Sequence, residues 1–186
     1  EVVDAEAGWI SKAHSQIESS AREMLALSMD TQNQTQLATA LQVFRNLDSL
    51  RTTVADLVAS DVAEVRSTLE QVLNATTLSD VAATYGSGAA NTSAMRVALW
   101  TRLETFMESL LKIAIRVRHL ERVLAKKKDP TTQIRFLDDV LPANEGKTSL
   151  VVEFWGKLAD TMAKSLGNMN KSAPFIHQAF VGEYPR

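Results

Sequence analysis

Asn91-Thr92-Ser93-Ala94-Met95-Arg96-Val97-Ala98-Leu99-Trp100 opens a stretch that runs without Gly or Pro as far as Lys126-Lys127-Lys128-Asp129-Pro130. Its apolar residues Leu99, Leu103, Phe106, Leu110, Ile113, Val117, Leu120 and Leu124 advance by 4, 3, 4, 3, 4, 3 and 4. A strand would place apolar side chains at every second position; these steps are a heptad seam, the pattern of a long helix laid against other helices. Thr92 or Ser93 is a suitable cap at the start, and Asp129-Pro130 stops the helix.

The flanking sequence has the same pattern. Upstream, Val3, Ala7, Ile10, Ile17, Ala21 and Met24 keep a heptad-like spacing over Asp4–Met29, with His14 on the same line and Trp9 and Leu25 widening the face. Asp30-Thr31-Gln32-Asn33 is a polar break in which Thr31 or Asn33 can cap the next helix. From Gln34 to Leu73 apolar residues recur every three or four positions with no Gly or Pro. One helix of that length measures about 60 Å. A compact chain of this size has a diameter on the order of 40 Å. Either the helix breaks near Ser60-Asp61 or the molecule is a rod, and the rod is the expectation. Residues 75–93 are mostly Ala, Thr, Ser, Gly, Asn and Asp around Gly86-Ser87-Gly88, which reads as a flexible connection. Downstream come a short amphipathic helix over Gln133–Val140 and a loop through Pro142 and Gly146. The next helix covers Ser149–Leu166, with Val151, Phe154, Trp155, Leu158, Met162 and Leu166 inward and Gly167 as C-cap. Ser172 caps a last short helix through Phe180, with Pro174 in its first turn. No stretch alternates long enough for a sheet.

Composition narrows the function. The 186 residues are 45% hydrophobic and 23% charged, with 7 Gly and 4 Pro, so the material favours helix. A net charge of −2 argues against a globally basic nucleic-acid binder. The absence of cysteine removes thiol catalysis, disulfides and cysteine-ligated zinc. No apolar run approaches the ~20 residues that cross a bilayer. The acidic start Glu1-Val2-Val3-Asp4-Ala5-Glu6 is unlike a signal peptide and reads as a cut from a longer chain.

Candidate sites are few. His14, His119 and His177 lack both the Glu-x-x-His and the His-x-x-x-His spacing, so they read as packing or surface residues and no metal or cofactor is expected. Gly86-Ser87-Gly88 has no strand before it and no Gly-Lys-Ser/Thr after it, so it is not a nucleotide loop. The sequons at Asn33, Asn74, Asn91 and Asn170 read as chance, with Asn33 and Asn91 better explained as helix-boundary residues. Two features remain. Lys112, Arg116, Arg122, Lys126, Lys127 and Lys128 form a basic face on the long helix, either a contact for anionic lipid or an acidic partner, or a solvated outer face. Trp100, Met107 and Leu111 flank the seam. They either pack on a second neighbour or, with Trp155 or Trp9, receive a helix from another chain.

Three segments carry a family resemblance. They are Asp30-Thr31-Gln32-Asn33-Gln34-Thr35-Gln36 running into Thr39–Phe44 and Asn46-Leu47, then His119–Pro130, then Gln178–Pro185. In order and approximate spacing they resemble the subunit 5 family of the conserved oligomeric Golgi complex, one of the helical-rod multisubunit tethering complexes. Trp100 and Phe154-Trp155 sit where that family also has aromatics. The resemblance implies a non-enzymatic structural subunit on the cytosolic face of the Golgi, acting in vesicle tethering and intra-Golgi retrograde transport. The implied partners are the other subunits, notably subunit 7, with SNAREs, Rab GTPases and golgins. The chain is then expected to be a single all-α, elongated bundle segment over residues 1–186, from the N-terminal part of a longer rod. The competing expectation is a peripheral membrane protein that binds anionic lipid through the basic face.

Overall fold

The computed structural model describes residues 2–74, 80, 89–142, 146 and 149–172, with side chains at 8–74, 80, 96–142, 146 and 149–168. The described elements are helices α1 (Val2–Asp30), α2 (Gln34–Asn46), α3 (Leu50–Val72), α4 (Ala89–Lys126), α5 (Phe136–Val140) and α6 (Leu150–Ser172). Among the described residues there is no strand, only an isolated antiparallel bridge between Lys128 and Arg135. The fold is an all-α helical bundle, as the heptad spacing requires.

The single helix expected over Gln34–Leu73 is two. It breaks at Leu47-Asp48-Ser49, not near Ser60-Asp61, and the uninterrupted helix behind the rod expectation does not form. The break is built from backbone. Asp48 takes φ 55°, the Ser49 N–H donates to the Phe44 carbonyl at 2.9 Å, and the Asp48 N–H donates to the Arg45 carbonyl at 3.1 Å. That pair of bonds is the Schellman closure, which reverses the chain by one left-handed residue. The same closure ends α1. Gln32 has φ 53°, the Asn33 N–H donates to Ser28 O at 3.0 Å and the Gln32 N–H to Met29 O at 3.4 Å. Asn33 then caps α2, its Oδ1 accepting the Gln36 N–H at 3.1 Å. Both closures use a polar residue where glycine is the common choice, so the sequence carries no Gly to announce them.

Two other boundaries move. α4 begins at Ala89, so Asn91, Thr92 and Ser93 lie inside the helix; Ala89-Ala90 are strong helix formers and extend it backwards. Residues 75–79 and 81–88 of the expected flexible connection lie outside the described residues. α6 continues through Gly167 to Ser172, so neither residue is a helix boundary of the kind expected. A mid-helix Gly costs about 1 kcal/mol against Ala, a cost that the rest of a 23-residue helix outweighs. The short helix expected after Ser172 lies outside the described residues. At the other end of α4 the stop is as expected. Pro130 disfavours helix at Asp129, and the chain turns through 127–135 with Asp129 N–H donating to Ile134 O at 2.9 Å and Phe136 N–H to Lys127 O at 3.0 Å.

The chain divides into two compact units, Glu1–Val58 with Ile115–Val152, and Ala59–Ala114 with Glu153–Arg186. In the first, α1 packs on α2. Its buried residues are Ala21, Leu25 and Met29 of α1, Leu37, Ala40, Leu41 and Phe44 of α2, the start of α3, and Val117, Leu120, Val123 and Leu124 of α4. Arg22 lies over the Phe44 ring at 6.0 Å while holding Glu18 at 2.6 Å, which closes the α1–α2 joint on its wet side. In the second unit the buried set is Val65, Leu69, Val72 and Leu73 of α3, Leu99, Phe106, Leu110 and Ile113 of α4, and Phe154 and Leu158 of α6. Every residue of the α4 seam is buried except Leu103, which is half-buried. Each fully buried Leu or Phe contributes roughly 1.5–3 kcal/mol over leaving it exposed.

Asp48 gives a direct check on the α2–α3 break. Its side chain is fully exposed and its contact to Arg45 is 3.9 Å, so the carboxylate adds little. Asp48→Gly is expected to raise stability by up to about 1 kcal/mol, and Asp48→Val to lower it by a similar amount or more. Denaturant midpoints of the two variants measure this.

Candidate functional site

Trp100, Met107 and Leu111 stand on α4 beside the buried seam, and the structure leaves all three outside. They are 51%, 58% and 61% exposed. Val97 is exposed on the same edge, three residues ahead of Trp100, and was not among the expected edge residues although its spacing is the same. Glu104 is the polar interruption of this line. The described residues of the chain therefore do not supply the second neighbour that would have made these residues core. Trp155, expected inward on α6, is instead 44% exposed. The inward aromatic is Phe154, and its ring meets Trp155 edge-on at 5.4 Å and 67°. A buried Phe thus fixes the attitude of an exposed Trp one residue on. Trp100, Met107, Leu111 and Trp155 all fall in the second unit.

The basic run divides by use. Lys112, Arg122, Lys126 and Lys128 are at least partly open to solvent, and Arg116 and Lys127 take their places beside them. Arg116 reaches towards Asp30 of α1 at 4.0 Å. Arg122 Nη2 lies 3.4 Å from His119 Nδ1. A guanidinium only donates, so Nδ1 accepts and the imidazole proton sits on Nε2. His119 is buried, and its Nε2 has no hydrogen-bond partner among the described residues. Burial, and secondarily the Arg122 charge, hold it below the ordinary histidine value, so it is neutral. His14 is exposed, and His177 lies outside the described residues.

Two polar arrangements of the first unit were not read from the sequence. Glu121, the single acid in the basic run, faces the start of α6. Its carboxylate accepts the Ser149 hydroxyl at 3.0 and 3.1 Å and the Val151 N–H at 2.7 Å. An acid from another helix thus satisfies an N-terminal donor of α6 and meets the positive end of its dipole. The second is Arg45, whose Nε lies 3.3 Å from Asp129 Oδ2 and 3.4 Å from Asp139 Oδ2. Asp129 also accepts the Thr131 N–H at 2.7 Å and the Thr132 N–H at 3.3 Å through Oδ1. The Thr131 N–H chiefly holds the Asp129 carboxyl below the usual carboxylate range, against the opposing effect of burial, with Thr132 and Arg45 adding to it. The Lys-Lys-Lys-Asp-Pro ending is therefore a folded turn pinned to α2. The signal that could have found it is Asp-Pro-Thr-Thr, an acid followed by two free backbone donors. Among the described residues no group of three His, Cys, Asp or Glu is placed to hold a metal. None of their helices is long and apolar enough to cross a membrane.

The chain matches the family model described as conserved oligomeric Golgi complex subunit 5, C-terminal, over residues 1–186. It is 32% identical over 195 residues to the conserved oligomeric Golgi complex subunit 5 of Mus musculus, covering 100% of this chain and 23% of that protein. It is 29% identical over 196 residues to the protein of the same name from Arabidopsis thaliana, again covering 100% of the chain and 23% of the relative. With that of Dictyostelium discoideum it shares 25% over 171 residues, 75% of this chain and 19% of that protein. The chain thus spans about a quarter of the length of the curated relatives it matches. The family description names a C-terminal region, whereas the resemblance suggested the N-terminal part of the subunit. No solved structure matches.

Two variants test the polar scaffold. Glu121→Ala orphans the Ser149 and Val151 donors and is expected to cost about 1–3 kcal/mol, with Glu121→Gln costing less because one acceptor oxygen remains. Acidification tests the other groups. His119 and Asp129 both bind protons less readily folded than unfolded, so each contributes stability that is present at neutral pH and lost on acidification. Stability is expected to fall first below about pH 6.5, from His119, and again below about pH 4, from Asp129. His119→Gln removes the first step and Asp129→Asn the second, read from denaturant midpoints against pH.

Proposed function

We propose a function on the premise that this chain belongs to the conserved oligomeric Golgi complex subunit 5 family: it is a non-catalytic helical segment through which that subunit docks other subunits of the complex. The observation that carries this is the exposed edge of Trp100, Met107 and Leu111, with Trp155 in the same unit. Singly exposed apolar residues are ordinary, but an aligned edge with Trp and Met is the composition of an interface core. The heptad neighbourhood suits an incoming amphipathic helix.

On this reading the partner is another subunit, in the first instance subunit 7. The whole subunit sits on the cytosolic face of the Golgi membrane and takes part in capturing retrograde vesicles. SNAREs, Rab GTPases and golgins are contacts of the assembly. The mechanism is architectural. The seam holds the helices together, the outer edge receives a partner helix, and the basic face, Lys112, Arg116, Arg122 and Lys126 to Lys128, keeps the surface soluble and steers acidic segments.

Co-purification of the full-length subunit with subunit 7 tests the reading. Trp100→Glu with Leu111→Glu is expected to weaken capture at least about tenfold, since the loss of even one anchor of this size costs about 1.4 kcal/mol or more. Unchanged capture by a folded double variant would overturn the assignment of this edge.

A further inference from the structure

The exposed edge of α4 has an internal symmetry. From Trp100 the outer line of the helix runs through Glu104, Met107, Leu111, Ile115 and Arg118 to Arg122, by steps of 4, 3, 4, 4, 3 and 4. Every one of these residues is exposed, and all stand on one uninterrupted helix. The steps read the same in both directions, with Leu111 at the centre. Met107 and Ile115 lie four residues either side of it, Glu104 and Arg118 seven, and Trp100 and Arg122 eleven.

Each mirrored pair is chemically complementary. Met107 with Ile115 is apolar, Glu104 with Arg118 joins an acid to a base, and Trp100 offers a ring face to the Arg122 guanidinium. Within one chain the charged pair cannot meet, because Glu104 and Arg118 stand about 21 Å apart along the helix axis. Across two antiparallel α4 helices related by a two-fold axis at Leu111 they stand opposite, since residue i of one copy then faces residue j of the other and j faces i. Glu104, which interrupts the apolar line, is answered there by a cation. In the same register Arg96 faces Lys126, a like-charge contact that ends the pairing beyond Trp100 and Arg122.

We propose that, in the subunit free of its partners, α4 pairs with α4 of a second copy of this chain, antiparallel about Leu111. The inference rests on the reading of this edge as a docking surface. It adds that the edge is complementary to itself, so a second copy competes with any other subunit for it. A single helix pair is a small interface, and the dimer is expected to come apart on dilution.

Sedimentation equilibrium of the purified full-length subunit, free of the other subunits, tests it. The expected result is a reversible dimer. Glu104→Arg sets a cation opposite Arg118 twice in each dimer and is expected to weaken the dimer at least about tenfold. Arg118→Glu is expected to do the same by opposing two acids. Glu104→Arg and Arg118→Glu in one chain exchange the charges and are expected to restore the dimer. A subunit that is monomeric at every concentration would overturn the proposal. So would a dimer that ignores the single reversals, or a double variant as weak as either of them. Subunit 7 separates the two readings. If it binds and leaves the dimer intact, docking at the α4 edge fails while self-pairing stands. If a subunit that stays monomeric captures it through Trp100 and Leu111, docking stands and self-pairing fails.

Discussion

Burial of one edge of α4 is the constraint on which the rest depends. Its seam supplies Leu99, Phe106, Leu110 and Ile113 to one compact unit and Val117, Leu120 and Leu124 to the other. A helix of 38 residues cannot turn different faces to solvent at will. Once the seam is buried, the position of every other α4 side chain is set by 3.6 residues per turn. Trp100, Met107 and Leu111 are left out because they stand beside the seam and not in it. Glu121 meets α6 for the same reason.

Polar groups of the first unit then fix how the connecting segments lie. Glu121 caps α6 from outside, and Arg45 holds both Asp129 and Asp139. Each joins positions far apart in sequence with a charge-assisted contact, so each specifies one arrangement of a chain whose apolar residues alone would tolerate several. The basic run of α4 is partly consumed in this way. Arg116 turns to Asp30 and Arg122 to His119, and the charge left open is that of Lys112, Lys126 and Lys128 together with the outer side of Arg122. That is a thinner basic face than the sequence suggested. The apolar edge is the feature the fold leaves most conspicuously unused.

Much of the fold was legible. The α4 seam is buried as its spacing demands, and helices appear where the periodicity places them. The α2–α3 break was not legible, because its left-handed residue is Asp48 and not glycine, and the closing bonds are all backbone. The start of α4 and the end of α6 moved because capping residues compete with propensity, and Ala89-Ala90 and the long α6 won. On α1 the heptad line drawn through Ile10, Ile17, Ala21 and Met24 mixes two edges. Ala21 belongs to the edge buried on α2, while Ile10, Ile17 and Met24 belong to the exposed one. Periodicity marks an apolar face without saying how many neighbours divide it.

The amino-acid sequence by itself determined that this protein is helical, which α4 residues form its seam, and which family it resembles. Those are properties of local spacing and of residue order, and both are written along the chain. Only the tertiary structure decided that Trp155 is outside and Phe154 inside, that Glu121 is a cap and no part of a charged face, and that Asp129 answers to Arg45. These depend on which helix arrives opposite which residue, and that is settled by packing between segments up to about ninety positions apart, where local periodicity carries no information.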